Sequence, residues 1–302
     1  MKKKIIPLLA LITLPNISYG QNFMQQFEDL LSKKDTVGQI QLLNNWEKTD
    51  NNDPELYVAY YNYYAMRARN EVIALGNNPK GNEALEIVKE DSLSGNPVAY
   101  MYGDAYYDRS LLNKAYSYID KGIEKFPNRL DMRFGKIYML GENEDYHHFT
   151  EEIIKTVKYA PAINCQWLWQ GNEPVEDPKE FMLSSIQSYV IQLYNTEDDA
   201  LLDNMKMIAE CVLEQYPDHI ESLSNLSIVY LLHKQFDEAL AALTKAEKIN
   251  NKDCIVLSNM AHVYKVKGDI PKAIKYYNLT IKYGDEEMRK YAEKEIEVLK
   301  KM

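Results

Sequence analysis

Between residues 220 and 284 apolar side chains recur at three- and four-residue spacing in short runs broken by polar turns, the period of amphipathic helices. The order of residue sizes in these runs then repeats at a fixed spacing of 34. Leu223, Leu226, Ser227, Tyr230, Ala239, Leu243 and Ala246 are followed by Leu257, Met260, Ala261, Tyr264, Ala273, Tyr277 and Thr280. A third copy, displaced by 124 positions, reads Ala99, Tyr102, Gly103, Tyr106, Ala115, Ile119 and Gly122, with Pro127 after it. Each copy predicts two helices, A and B. In the last copy A spans about 254–267 and B about 270–283, with Gly268 suited to the left-handed stop of A and Asp269 to the cap of B. Asp218 with Glu221 reads as a capping box for the preceding helix A. Small residues recur where paired helices approach closely, as at Ser227 with Ala239 and Ala261 with Ala273.

The same reading extends over most of the chain. The clearest repeats are 96–128, 220–252 and 254–284. The stretch 160–178 contains three prolines after Ala160 and no helical period, so it predicts a loop insertion. Helices at about 131–141, 145–158, 179–195 and 198–215 flank it as degenerate pairs. Upstream, Asn82-Glu83-Ala84-Leu85 echoes Asp237-Glu238-Ala239-Leu240 and marks another helix B, whose helix A holds Tyr57, Tyr60, Tyr61, Tyr63 and Tyr64. About six or seven helix pairs are expected between 21 and 283. Residues 285–302 form a capping helix, with Met288, Tyr291, Ala292, Ile296 and Leu299 on one face and charges on the other.

These large, small, aromatic and alanine positions resemble the signature of the tetratricopeptide repeat (TPR) family. Pro127 and Pro217 hold the family's closing proline, Asn251 and Asp285 replace it in the two best copies, and no copy has Trp at its first large position. The resemblance implies an all-α fold, a right-handed superhelical solenoid of tandem helix-turn-helix repeats spanning 21–302 as one body. It also implies that helix A residues not used in packing line a concave groove for a peptide or helix. Carried over by position, these are Tyr100, Asp104, Tyr107 and Asp108, then Ser224, Ile228 and Leu231, then Ser258, His262 and Lys265. The Lys, Arg and Asn set with which a chaperone-binding subset of the family clamps a terminal carboxylate is missing.

Residues 1–20 stand apart from the repeats. Lys2, Lys3 and Lys4 precede an apolar run from Ile5 to Leu14, and Ser18-Tyr19-Gly20 resembles a cleavage site, the layout of a secretory signal peptide. The apolar run is shorter than the roughly 20 residues of a membrane span. With no cysteine at the cleavage site, a periplasmic or secreted location without a lipid anchor is expected. The chain carries 35 Lys and Arg against 45 Asp and Glu, a net charge of -10. Such a surface repels nucleic acid, and its charge either maintains solubility or favours basic partners. Three cysteines, Cys165, Cys211 and Cys254, allow at most one internal bridge. Asp35-Thr36-Val37 and Asp91-Ser92-Leu93 match a short bacterial O-glycosylation pattern, and Asp with Ser or Thr also suits helix caps and turns.

Motifs for chemistry are few. The sequence has no phosphate-binding Gly-rich loop, no His-Glu-x-x-His, no paired CxxC and no nucleophile elbow, so neither a cofactor nor a metal is expected. His147 and His148 lie four residues before Glu151 and Glu152, a spacing that puts each pair on one helix face. Trp167 and Trp169, flanked by Asn and Gln, form either a sugar-stacking platform or an anchor that buries the loop. Tyr outnumbers Phe by 24 to 7, which suits half-exposed recognition grooves as well as polar-tipped cores. The expected function is a non-catalytic protein- or peptide-binding scaffold of the bacterial envelope. The alternatives are a glycan-binding accessory protein using Trp167 and Trp169, and an enzyme with an unrecognised site.

Overall fold

The computed structural model of the protein describes residues 19–77, 79, 83–88 and 97–301. The signal-like segment up to residue 18 and the Asp91-Ser92-Leu93 tripeptide lie outside them. The chain divides into two compact units, one ending at Pro127 and one beginning at Asn128, within what the sequence reads as a single run.

The first unit contains α1 (Tyr19–Ser32), α2 (Thr36–Thr49), α3 (Pro54–Ala68) and α4 (Arg109–Lys125). Between α3 and α4 stand β1 (Arg69–Gly76), β2 (Ala84–Val88) and β3 (Pro97–Tyr107), an antiparallel sheet in the order β1-β3-β2. The core joins Phe27 of α1, Leu43 and Trp46 of α2, and Leu56 and Tyr60 of α3, all at most 1% exposed. Asp53 ties two helices together: its carboxylate accepts from the Trp46 indole Nε1 (3.1 Å) and from the Glu55 amide (3.0 Å) that starts α3. Burial raises the Asp53 pKa, and these donors work against that rise. The tyrosine run is largely core. Tyr60 stacks on Tyr118 of α4 with centroids 4.0 Å apart, and its hydroxyl donates to Glu47 Oε2 at 3.0 Å.

The sheet corrects two expectations. Ala99, Tyr102, Gly103 and Tyr106, read as a helix A within 96–128, belong to β3, and Ala84 and Leu85, read as helix B, begin β2. Helix α4 with Ala115, Ile119 and Gly122 does form, but its partner is α3. Measured from their capping aspartates, Tyr57, Tyr60, Tyr61 and Tyr64 after Asp53 occupy the places of Leu257, Met260, Ala261 and Tyr264 after Asp253. The three- and four-residue spacing in 99–106 is coincidental. Val98, Tyr100 and Tyr102 also alternate as a strand requires, and β3 pairs along β1, with Tyr102 opposite Ala74 and Gly103 opposite Ile73. Residues 69–107 are an insertion between the two helices of one pair, and its ends meet where the Asp108 amide donates to the Ala68 carbonyl at 2.7 Å. Replacing 69–107 by a short Gly-Asn turn is therefore expected to leave the stacking of Tyr60 on Tyr118 intact. Loss of the helical circular dichroism of this unit would contradict that.

The second unit holds α5 (Leu130–Glu142), α6 (Tyr146–Tyr159), α7 (Pro178–Tyr194), α8 (Leu202–Gln215), α9 (Ile220–Leu232), α10 (Phe236–Ile249), α11 (Cys254–Lys267), α12 (Ile270–Tyr283) and α13 (Glu286–Leu299). Consecutive helices pair as α5/α6, α7/α8, α9/α10 and α11/α12, and α13 packs on α12. Leu223, Ala239, Leu243, Leu257, Met260 and Ala273 share one core that continues into Ala292 and Ile296 of the capping helix. Asp253, Asp269 and Asp285 cap α11, α12 and α13 through their carboxylates. The capping box at Asp218 does not form. His219 is the cap, its Nδ1 accepting from the Ser222 amide at 3.3 Å.

One turn geometry recurs through both units. Lys34, Glu144, Glu197, Lys234 and Gly268 all have positive φ and stand just before a helix B. Each donates its amide to the carbonyl three residues back. After Lys34, Glu144, Lys234 and Gly268, the next amide reaches five residues back to the closing turn of helix A. A left-handed position costs an L residue with a Cβ about 1 kcal/mol relative to Gly. Glu144→Gly and Lys234→Gly are each expected to stabilise the second unit by about 0.5–1 kcal/mol in chemical denaturation.

Candidate functional site

The helix A elements of three successive pairs, α7, α9 and α11, enclose an apolar furrow of about 270 Å³. From α7 it is lined by Gln187, Val190, Ile191 and Tyr194, and from α9 by Glu221, Ser224, Asn225 and Ile228, with Ile220 at the start of that helix. Ile255 and Asn259 of α11, the capping Asp253 and Met205 of α8 complete the wall. The four residues from α7 lie one 34-residue period before the four from α9. The helical repeat sets this arrangement, because equal positions on successive A helices face the same side.

Two amides clasp α7 to α9 across the floor. Asn225 Nδ2 donates to Gln187 Oε1 at 2.7 Å, and Gln187 Nε2 donates back to Asn225 Oδ1 at 3.3 Å. Beside them the Ser224 side chain is buried, and its Oγ has no hydrogen-bond partner. A buried hydroxyl left unpaired costs about 1–3 kcal/mol. At the rim Glu221 lies 3.2 Å from His219 Nε2. Burial lowers the His219 pKa despite that neighbour, so the imidazole is held towards neutrality.

The structure distributes the sequence-derived groove positions unevenly. Ser224 and Ile228 line the furrow. Leu231 packs against the core. Ser258 is buried in α11, and Lys265 is tied by an ion pair to Glu295 of α13. His262 lies beside that pair with its Nδ1 buried and unpartnered, and burial lowers its pKa ahead of the repulsion from Lys265. The capping helix thus occupies this end of α11, and Ile255 and Asn259 face the furrow in place of those three. Tyr100, Asp104 and Tyr107 sit on β3, and Asp108 caps α4 by accepting from the Ser110 and Leu111 amides, so these four are placed by a sheet and a helix cap. The residues from α7 went unread because Gln192, Leu193 and Thr196 stand where the repeat carries Leu226, Ser227 and Tyr230. Continuing the 34-residue period one unit back would have found them.

The loop 160–178 is firmly pinned. Leu168 donates its amide to the Asn128 carbonyl and accepts from the Leu130 amide, both at 2.9 Å, and Val175 donates to the Trp167 carbonyl at 3.0 Å. Trp167 is 1% exposed, beneath the Arg133 guanidinium and beside Tyr159. It takes the anchoring role of the two the sequence left open and presents no face to a sugar. Trp169 is half-buried, edge-on to Phe181 at 5.4 Å, in an open hollow lined by Glu173, Glu176, Asp177 and Glu180. All three cysteines are free thiols. Thr36 is exposed as the first residue of α2, whose cap is Asp35 accepting from the Gly38 amide at 2.8 Å.

His147, His148 and Glu151 bring potential metal-ligating atoms within 4.8 Å of one another. Each imidazole already has a carboxylate neighbour, His147 with Glu151 at 3.3 Å and His148 with Asp145 at 2.8 Å. They stand in the first turn of α6, where the positive end of the helix dipole opposes a bound cation.

No described helix is long and apolar enough to cross a membrane. No family model and no curated protein matches the chain. Similar solved structures include PilW, a widely conserved type IV pilus biogenesis factor, at 10% identity and TM-score 0.39 over 90% of this chain and 97% of that one. YrrB, a TPR protein with an unusual peptide-binding site, is similar at 14% identity and TM-score 0.40 over 83% of this chain and 97% of that one. Yeast Tom70 is similar at 12% identity and TM-score 0.32 over 98% of this chain and 67% of that one. These likenesses are loose, and the repeat assignment rests on the chain's own helix pairs and turns.

Proposed function

We propose that the chain is a non-catalytic scaffold of the bacterial envelope that holds a protein or peptide against the face built by α7, α9 and α11. The observation that carries this reading is the apolar furrow shared by three A helices with an unpaired buried hydroxyl, Ser224, in its wall. Apolar side chains supply affinity there, and a few polar groups fix orientation. The envelope location rests on the basic start, apolar run and small-residue site of residues 1–20.

The test is affinity capture from the source organism's envelope fraction with the full chain and with an Ile191→Lys/Ile228→Lys variant. Ile191 is 47% exposed and Ile228 half-buried, so the fold is expected to tolerate both changes. One protein recovered with the wild type and lost with the variant supports the scaffold. A partner recovered equally by both places binding elsewhere and refutes this face.

A further inference from the structure

On the reading of the α7, α9 and α11 face as a partner-binding surface, we propose that its occupant is a basic peptide segment. One bulky aliphatic or aromatic side chain fills the furrow, and lysine or arginine stands beside it. The volume of about 270 Å³ lies just below the range of small-molecule pockets, so it suits an anchor side chain of a longer chain. Ile191, Ile228 and Ile255, from three different helices, give that anchor apolar contacts on several sides.

Charge selects what flanks the anchor. The lining contains two carboxylates, Glu221 and Asp253, and no Lys, Arg or His. Asp253 is held in place because its Oδ1 accepts from the Ile255 and Val256 amides at 3.0 and 3.1 Å. Glu221 stands at the mouth, more than half exposed. The net charge of -10 draws cationic partners towards the molecule before contact. An acidic segment meets repulsion at both carboxylates, and a neutral one gains only the apolar contact.

The experiment is selection of phage-displayed random dodecapeptides on the immobilised full chain, with Ile228→Lys as the counter-target. Enriched peptides are expected to place Leu, Ile, Met or Phe next to Lys or Arg. A labelled synthetic copy of the most enriched one should bind about two- to threefold more weakly to Glu221→Gln and about five- to tenfold more weakly to Glu221→Lys, with affinity falling as salt rises. Both Glu221 variants should keep the wild-type melting temperature to within a few degrees, which separates lost charge from lost fold. Enrichment of neutral or acidic peptides, or an affinity unmoved by Glu221→Lys, overturns the basic preference and leaves the scaffold standing. Absence of any peptide whose binding Ile228→Lys abolishes overturns both.

Discussion

Trp167→Ala is expected to destabilise the second unit by about 3–5 kcal/mol, the cost of removing a large aromatic from a closed site. The side chain is 1% exposed and packs against Tyr159 and beneath Arg133, so the cavity left behind has no route to solvent. The backbone of the same residue accepts from the Val175 amide, so loss of the anchor is also expected to loosen the return of the loop. Trp167→Phe should cost clearly less. It keeps an aromatic in place and removes Nε1, a buried donor with no partner. Urea unfolding followed by far-UV circular dichroism measures both. A loss under about 1 kcal/mol for Trp167→Ala would mean that the loop is held by its backbone alone.

Asp131→Asn should cost about 2–3 kcal/mol, since the Asp131 carboxylate accepts two charge-assisted hydrogen bonds from a fully buried guanidinium. Arg129 is fully buried. Its Nε and Nη2 donate to the two Asp131 oxygens at 2.8 and 2.7 Å, and its Nη1 reaches Asn172 of the loop at 3.3 Å. Asparagine keeps the shape and one acceptor but sets its NH2 against a guanidinium N–H, so the measured loss combines the charge with one hydrogen bond. Replacing both partners, Arg129→Met with Asp131→Ala, is expected to destabilise less than Asp131→Asn alone, because no buried charge remains. Equal or larger loss in the double variant would show that the pair contributes net stability.

The helical period was legible in the sequence across the last two helix pairs, and so were the stop at Gly268 and the cap at Asp269. Gly268 and Asp269 stop α11 and start α12 as their residue types require, and Asp253, Asp285 and Asp145 cap the helices that follow them. The insertion at 69–107 was not legible. It separates α3 from α4, so the helix A of that pair had to be sought far upstream, while Ala99 to Tyr106 offered a false match at the expected distance. Strand pairing between Val72–Leu75 and Met101–Asp104 is non-local, and spacing within one segment cannot report it. Ser224 and Ile228, placed by the repeat position alone, line the furrow. Lys265 and His262 follow from the same rule and stand beside Glu295 of the capping helix, while Ser258 is buried in α11, arrangements set by tertiary packing. His219 caps α9 in place of Asp218 for a similar reason, its ring being fixed between Ser222 and Glu221.

The most direct test of the binding face is a photo-crosslinking amino acid placed at position 228 of the full chain in the living source cell. Identical substitutions at Trp169 and at Ile73 of β1 serve as comparison sites. The predicted result is a single crosslinked protein from position 228, competed away by a peptide with a bulky apolar residue beside lysine, and little or no product from the other two sites. A crosslink confined to position 169 or 73 would contradict the assignment of function to α7, α9 and α11.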